Sequence, residues 1–158
     1  MTDENLQQLM KLEGEWKGRG AGRYPTIDSF EYDETIRFDP DASYPLIHYE
    51  QRTWLTSGEA SHWESGFIRP LEDGAIDVSN SQDSGRVEVL RGRLSPADGG
   101  FVLALESVVL DHDPRLVRTR RTFTLNDDTL RYLVEMATHT TPEPRMQQHL
   151  EAVLTRQA

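Results

Sequence analysis

Along most of its length the chain is a succession of short runs rich in β-branched and aromatic residues, each closed off by turn chemistry, and this pattern narrows its possible folds more than any other feature. Candidate strands cover Glu15–Arg23, Phe30–Phe38, Leu46–Leu55, His62–Arg69, Ala75–Asn80, Arg86–Leu94, Phe101–Leu110, Leu116–Leu125 and Thr129–Thr138. Asp39-Pro40-Asp41, Glu72-Asp73-Gly74, Asp83-Ser84-Gly85, Asp98-Gly99-Gly100 and Asn126-Asp127-Asp128 mark the turns. Connections this short join antiparallel neighbours in a meander. The segment His149–Gln157 reads two ways, because Leu150, Val153 and Leu154 fit a helical stripe while Leu150, Ala152 and Leu154 fit a strand. A closed barrel has no exposed edges, so the architecture favours a tenth strand returning beside the first. Leu6, Leu9 and Met10 have helical spacing and predict a short N-terminal helix that packs as a lid or plug. The expectation is an all-β, ten-stranded antiparallel up-and-down barrel with a short N-terminal helix, the 158 residues forming one domain, 1–158.

The interior of such a barrel is not expected to be dry. In Leu46–Leu55 one face carries Ile47, Tyr49, Gln51, Thr53 and Leu55, and the other Leu46, His48, Glu50, Arg52 and Trp54. Both faces mix polar and apolar residues, which suits a barrel that is partly wet or holds a ligand. The formal net charge of −10 repels nucleic-acid phosphates and anionic lipid heads, so neither nucleic acid nor a membrane is expected as a partner. Arg115, Arg118, Arg120 and Arg121 run against that trend, but alternation puts Arg118 and Arg120 on one face, most simply in solvent. The absence of Cys excludes disulfides and thiolate chemistry. An acidic start, Met1-Thr2-Asp3-Glu4-Asn5, lacks the basic-then-apolar order of a secretory signal, and a cytoplasmic location is expected. The oligomeric state is left open, a homodimer included.

The stretch from Gly14 to Ile27 carries the most specific signal. Gly14, Gly18, Gly20 and Gly22 share one face of a strand with Trp16. Glycine weakens a strand, so a bare face of this kind invites a close backbone, a bulky side chain or a flat ligand, or else marks a tight barrel corner. Gly-Xaa-Trp-Xaa-Gly-Xaa-Gly followed by Tyr24-Pro25-Thr26-Ile27 resembles the signature of the nitrobindins, a calycin-like family related in fold to the fatty-acid-binding proteins. The resemblance continues through Phe30-Xaa-Tyr32-Xaa-Glu34, Pro45-Leu46-Xaa-Xaa-Tyr49 and His62-Xaa-Glu64-Xaa-Gly66-Phe67-Ile68-Arg69. It resumes at Ser81-Gln82-Xaa-Ser84-Gly85-Xaa-Val87-Glu88 and Met136-Ala137-Thr138, and ends at His149-Leu150.

That resemblance implies a haem b (iron) cofactor, mainly ferric, near one open end of the barrel. His149 matches the family's single axial ligand and is the implied metal-binding and catalytic residue. Thr26 matches a haem contact. The implied activity is binding of nitric oxide and isomerisation of peroxynitrite to nitrate. One neutral imidazole leaves the opposite axial position open, so that the O–O bond of peroxynitrite can break and nitrogen dioxide recombine to release nitrate. Met136 is an apolar neighbour on the open side or simply core. The loop His139–Gln148 is a few residues longer than in relatives and brings in His139 as a rival or distal ligand. His62 reads equally as a strand hydrogen-bonding partner, and His112 as a solvent-exposed turn residue. Glu50 and Glu64 suggest a sugar-cleaving pair only by chance, given 27 carboxylates. Two other functions compete: a non-catalytic carrier of an apolar small molecule or lipid, and a haem-based nitric-oxide or redox sensor.

Overall fold

The computed structural model describes residues 3–158. A single helical turn and a half, α1 (Glu4–Leu9), is capped by the Asp3 carboxylate, which accepts from the backbone N–H groups of Asn5 and Leu6, and passes into a 3-10 turn at Met10–Leu12. Ten strands follow: β1 (Gly14–Tyr24), β2 (Ile27–Pro40), β3 (Ile47–Leu55), β4 (Ala60–Pro70), β5 (Ile76–Gln82), β6 (Val87–Ala97), β7 (Gly100–Asp111), β8 (Leu116–Asn126), β9 (Thr129–Thr138) and β10 (Gln147–Arg156). Each pairs antiparallel with its chain neighbour, and β10 returns to β1, closing the barrel. The ambiguous last segment is therefore a strand. Its inward residues Leu150, Ala152 and Leu154 lie opposite Gly22, Gly20 and Gly18, and pairing with β1 satisfies the backbone groups that an open edge would expose.

The glycine face of β1 acts in both of the ways its bareness allowed. A Cβ on Gly18 would lie 1.9 Å from the Val153 carbonyl oxygen of β10, so here it is backbone that comes close. Rings fill the space at the other two positions: a Cβ on Gly20 would strike Tyr32, and one on Gly22 would strike Phe30. Both aromatic residues come from β2 in direct register, Tyr32 opposite Gly20 and Phe30 opposite Gly22.

The interior is zoned along the barrel axis. At the end where α1 enters, Leu9, Leu12 and Trp16 pack with Ile36, Phe38, Ile47, Leu103 and Leu105, and the Trp16 indole N–H donates to the Leu12 carbonyl at 2.8 Å. The N-terminal segment thus plugs that end. Past the waist the inward positions turn polar, with Glu34, Gln51, Thr53, Glu64, Glu88, Thr119 and Arg121 all buried. No helix among the described residues is long and apolar enough to cross a membrane.

Candidate functional site

Beyond this polar waist, at the end away from α1, lies a cavity of about 200 Å³. Phe30, Val134, Met136 and Leu150 form apolar walls, His149 and Arg86 stand on its lining, and Gln51, Glu64, Glu88, Thr119 and Arg121 reach it from the waist.

His149 reaches the cavity through a register shift. On β10, Gln148 pairs with Glu135 and Leu150 with Val134, which leaves His149 as an extra, unpaired residue. Strict alternation from Leu150 would turn position 149 outward, as it does Glu151. The bulge instead re-aims the side chain so that His149 and Leu150 both line the cavity. The His149 Nδ1–H donates to the Arg23 carbonyl oxygen at 3.1 Å, and the ring meets Tyr24 edge-on with centroids 6.0 Å apart. A carbonyl can only accept, so the proton sits on Nδ1 and the Nε2 lone pair is bare. Burial lowers the pKa of this imidazole, and nearby Arg86 and His62 add to the effect, which keeps the ring neutral. His62 is spent on Glu64, which leaves one imidazole with a free nitrogen beside the apolar wall of Phe30, Val134, Met136 and Leu150, too few donors for a bare ion. This arrangement suits iron that brings the four nitrogens of a macrocycle, and the residues present fit that group.

The other sequence-derived candidates separate. Met136 is half-buried on the cavity wall, and its carbonyl accepts from the Tyr24 hydroxyl at 3.3 Å. Thr26 is exposed in the β1–β2 turn and is not part of the cavity wall. His139 is exposed at the end of β9, its backbone N–H bonded to the Arg115 carbonyl at 2.8 Å, so the longer loop does not bring its side chain to the cavity. His62 does line the cavity, but its Nε2–H donates to Glu64 Oε1 at 2.8 Å while Nδ1 lies 3.6 Å from Asp83. Glu50 points outward and pairs with Arg52, apart from Glu64.

The basic cluster divides by parity. Arg118 is exposed, and Arg120 pairs on the outer surface with Glu106 and Glu135, as alternation required. Arg121 turns inward and forms the hub of a buried network that the sequence reading did not single out. Its guanidinium takes Glu64 in a bidentate contact at 2.9 and 3.2 Å and also bonds Glu88. Tyr49 donates to Glu64 at 2.5 Å and Thr119 to Glu88 at 2.7 Å. Burial by itself would push both carboxyls up, but Arg121 outweighs it, with His62 helping at Glu64 and Thr119 at Glu88, and both titrate below the ordinary range. Glu34 behaves oppositely. Burial raises it to about 7, only partly offset by Gln51, which donates to Oε2, and by Tyr132; Oε1 has no hydrogen-bond partner among the described residues. The usable signal was positional: Glu34 shares its strand face with Tyr32 and Ile36, Gln51 with Ile47 and Tyr49, and Arg121 with Phe123 and Leu125.

Comparison with known proteins places this geometry. Residues 5–156 match the family described as the THAP4-like, heme-binding beta-barrel domain. The chain is 42% identical over 147 residues to a protein of Arabidopsis thaliana named peroxynitrite isomerase Rv2717c, spanning 92% of this chain and 85% of that one. It is 36% identical over 153 residues to a peroxynitrite isomerase of Streptomyces griseus, spanning 92% and 80%. The crystal structure of Rv2717c from M. tuberculosis superposes over 100% of both chains with a TM-score of 0.88 at 31% identity.

Proposed function

Given that this chain belongs to the THAP4-like, heme-binding beta-barrel domain family, we propose that it is a ferric haem b protein that isomerises peroxynitrite to nitrate, and that His149 is the residue that would hold the iron. The observation that carries the assignment of His149 is its place on the β10 bulge, with Nδ1–H spent on Arg23 and Nε2 left to bind. Relatives bearing the name peroxynitrite isomerase support the reaction.

Haem, held by His149, would supply the one-electron iron chemistry that converts peroxynitrite to nitrate. The protein's residues supply the rest. His149 would hold the iron through Nε2, and the bond to the Arg23 carbonyl fixes its tautomer and ring orientation while raising its basicity. Phe30, Val134, Met136 and Leu150 would form the apolar wall beside the group and limit the access of water there. Thr26 contributes as a rim contact in this reading. Nitric oxide, a small neutral ligand, would bind at the same iron. A cytoplasmic site of action and a homodimer belong to the same proposal.

A carrier of an acidic lipid fits less well. Arg121, the buried cation of the waist, is already neutralised by Glu64 and Glu88, so it does not wait for a ligand carboxylate. The test is reconstitution with haem. We expect a Soret band that His149→Ala shifts and weakens, and stopped-flow nitrate formation faster than with free ferric haem. An unchanged Soret band in the variant would remove the ligand assignment, and a rate equal to that of free haem would remove the isomerase reading.

A further inference from the structure

One row of the barrel, read across four strands, is Tyr32 on β2, Gly20 on β1, Ala152 on β10 and Tyr132 on β9. The two middle residues are small. Over them the tyrosines lean toward each other, and their hydroxyl oxygens meet 2.6 Å apart, buried in the cavity wall. The closeness of Tyr32 to the Gly20 backbone shows how far the ring depends on that bare position.

We propose that Tyr32 and Tyr132 form a redox-active pair, in which Tyr132 yields an electron to nitrogen dioxide in the cavity and its phenolic proton to Glu34. The step balances: neutral phenol, carboxylate and nitrogen dioxide become phenoxyl radical, carboxylic acid and nitrite. A second nitrogen dioxide then adds to the ring carbon beside the phenoxyl oxygen. A C–N bond forms, the C–H bond breaks, and its proton leaves to solvent. The pair thereby removes oxidant that escapes recombination and ends as nitrotyrosine.

What distinguishes this pair is the proton acceptor. Glu34 Oε1 has no hydrogen-bond partner among the described residues, the Tyr132 hydroxyl bears on that buried carboxyl, and burial raises it to about 7, so the carboxylate has affinity for a proton near neutrality. Tyr49 also faces a carboxylate, but Arg121 holds Glu64 far too acidic to accept. Tyr24 donates to the Met136 carbonyl, and Tyr44 is 61% exposed on the outer surface. The charged and titratable groups that bear on Glu34 are Tyr32 on its own strand, Tyr132 on β9, Glu64 on β4 and Arg121 on β8.

The inference rests on the haem reading only for where the oxidant arises, so the test uses the 158-residue chain without haem. In a Tyr44→Phe background, nitrogen dioxide is generated by pulse radiolysis of nitrate solutions above and below a pH of about 7. Freeze-quenched samples are read by electron paramagnetic resonance, and peptides by mass spectrometry. We expect radical and nitro group on Tyr132 or Tyr32, with a several-fold lower yield on the acid side and in Glu34→Gln at the higher pH. Tyr132→Phe should move the label elsewhere; should it fail to fold, Glu34→Gln carries the test. Label mainly on Tyr24 or Tyr49, or a yield indifferent to Glu34→Gln, overturns the pair. Trapping without any haem uptake in a parallel titration would instead overturn the proposed function and leave the pair standing.

Discussion

Arg121 shows how much a single inward position can decide. Its guanidinium compensates two carboxylates, Glu64 and Glu88, each buried to within 2% exposure or less. Taking ions out of water is unfavourable, and removing the shared partner leaves two uncompensated charges in place. We expect Arg121→Leu to lower stability by roughly 3–5 kcal/mol near neutral pH, measured by urea unfolding. The deficit should narrow as the pH falls and the carboxyls take up protons. A variant in which Glu64 and Glu88 also become Gln should recover much of the loss, and a failure to recover would mean that Arg121 acts through packing instead.

At the scale of the strand, β10 carries the decisive irregularity. Period-two alternation assigns His149 to the outer surface with Glu151, and the extra residue between Gln148 and Leu150 reverses that assignment. Deleting Gln148 restores alternation and sets His149 opposite Glu135, facing solvent. We expect such a deletion to retain the β-sheet signature in circular dichroism and to weaken haem binding by roughly tenfold or more, read by Soret titration. Unaltered haem affinity would show that the bulge does not aim the ligand. The plug is a second element with a defined task. Leu9 and Leu12 cover the apolar end of the barrel, and this leaves the opposite end for the cavity.

For the whole molecule, two opposing titrations set the response to pH. Glu64 and Glu88 have depressed pKa values in the fold, so the stability they contribute is present above the ordinary carboxyl value of 4.5 and is lost as the pH falls below it. Glu34 is raised from 4.5 to about 7, so the folded state holds a proton that the unfolded chain has released, and stability declines as the pH rises between those values. The span corresponds to on the order of 3 kcal/mol. Thermal unfolding should therefore be most resistant in mildly acid solution and weaken toward neutrality. Glu34→Gln should flatten the neutral-side decline while leaving the acid limb intact; a decline that persists in that variant would assign it to the accumulated charge of −10.

The order of the first nine strands, and their antiparallel sense, were written locally in turn chemistry and alternation. So was the bare glycine face of β1. Resemblance pointed to His149. Tertiary closure decided what local patterns leave open. Periodicity could not separate helix from strand for the last segment, and the unpaired edge of β1 did. Nor could alternation show the one-residue bulge that turns His149 inward, because a bulge exists only relative to the partner strand. The partners of Arg121 were equally hidden, since Glu64 and Glu88 lie 57 and 33 residues away and meet it only when the sheet curls shut. Which way a side chain points follows from neighbours along the chain, whereas what it meets inside a barrel depends on strands brought round by closure.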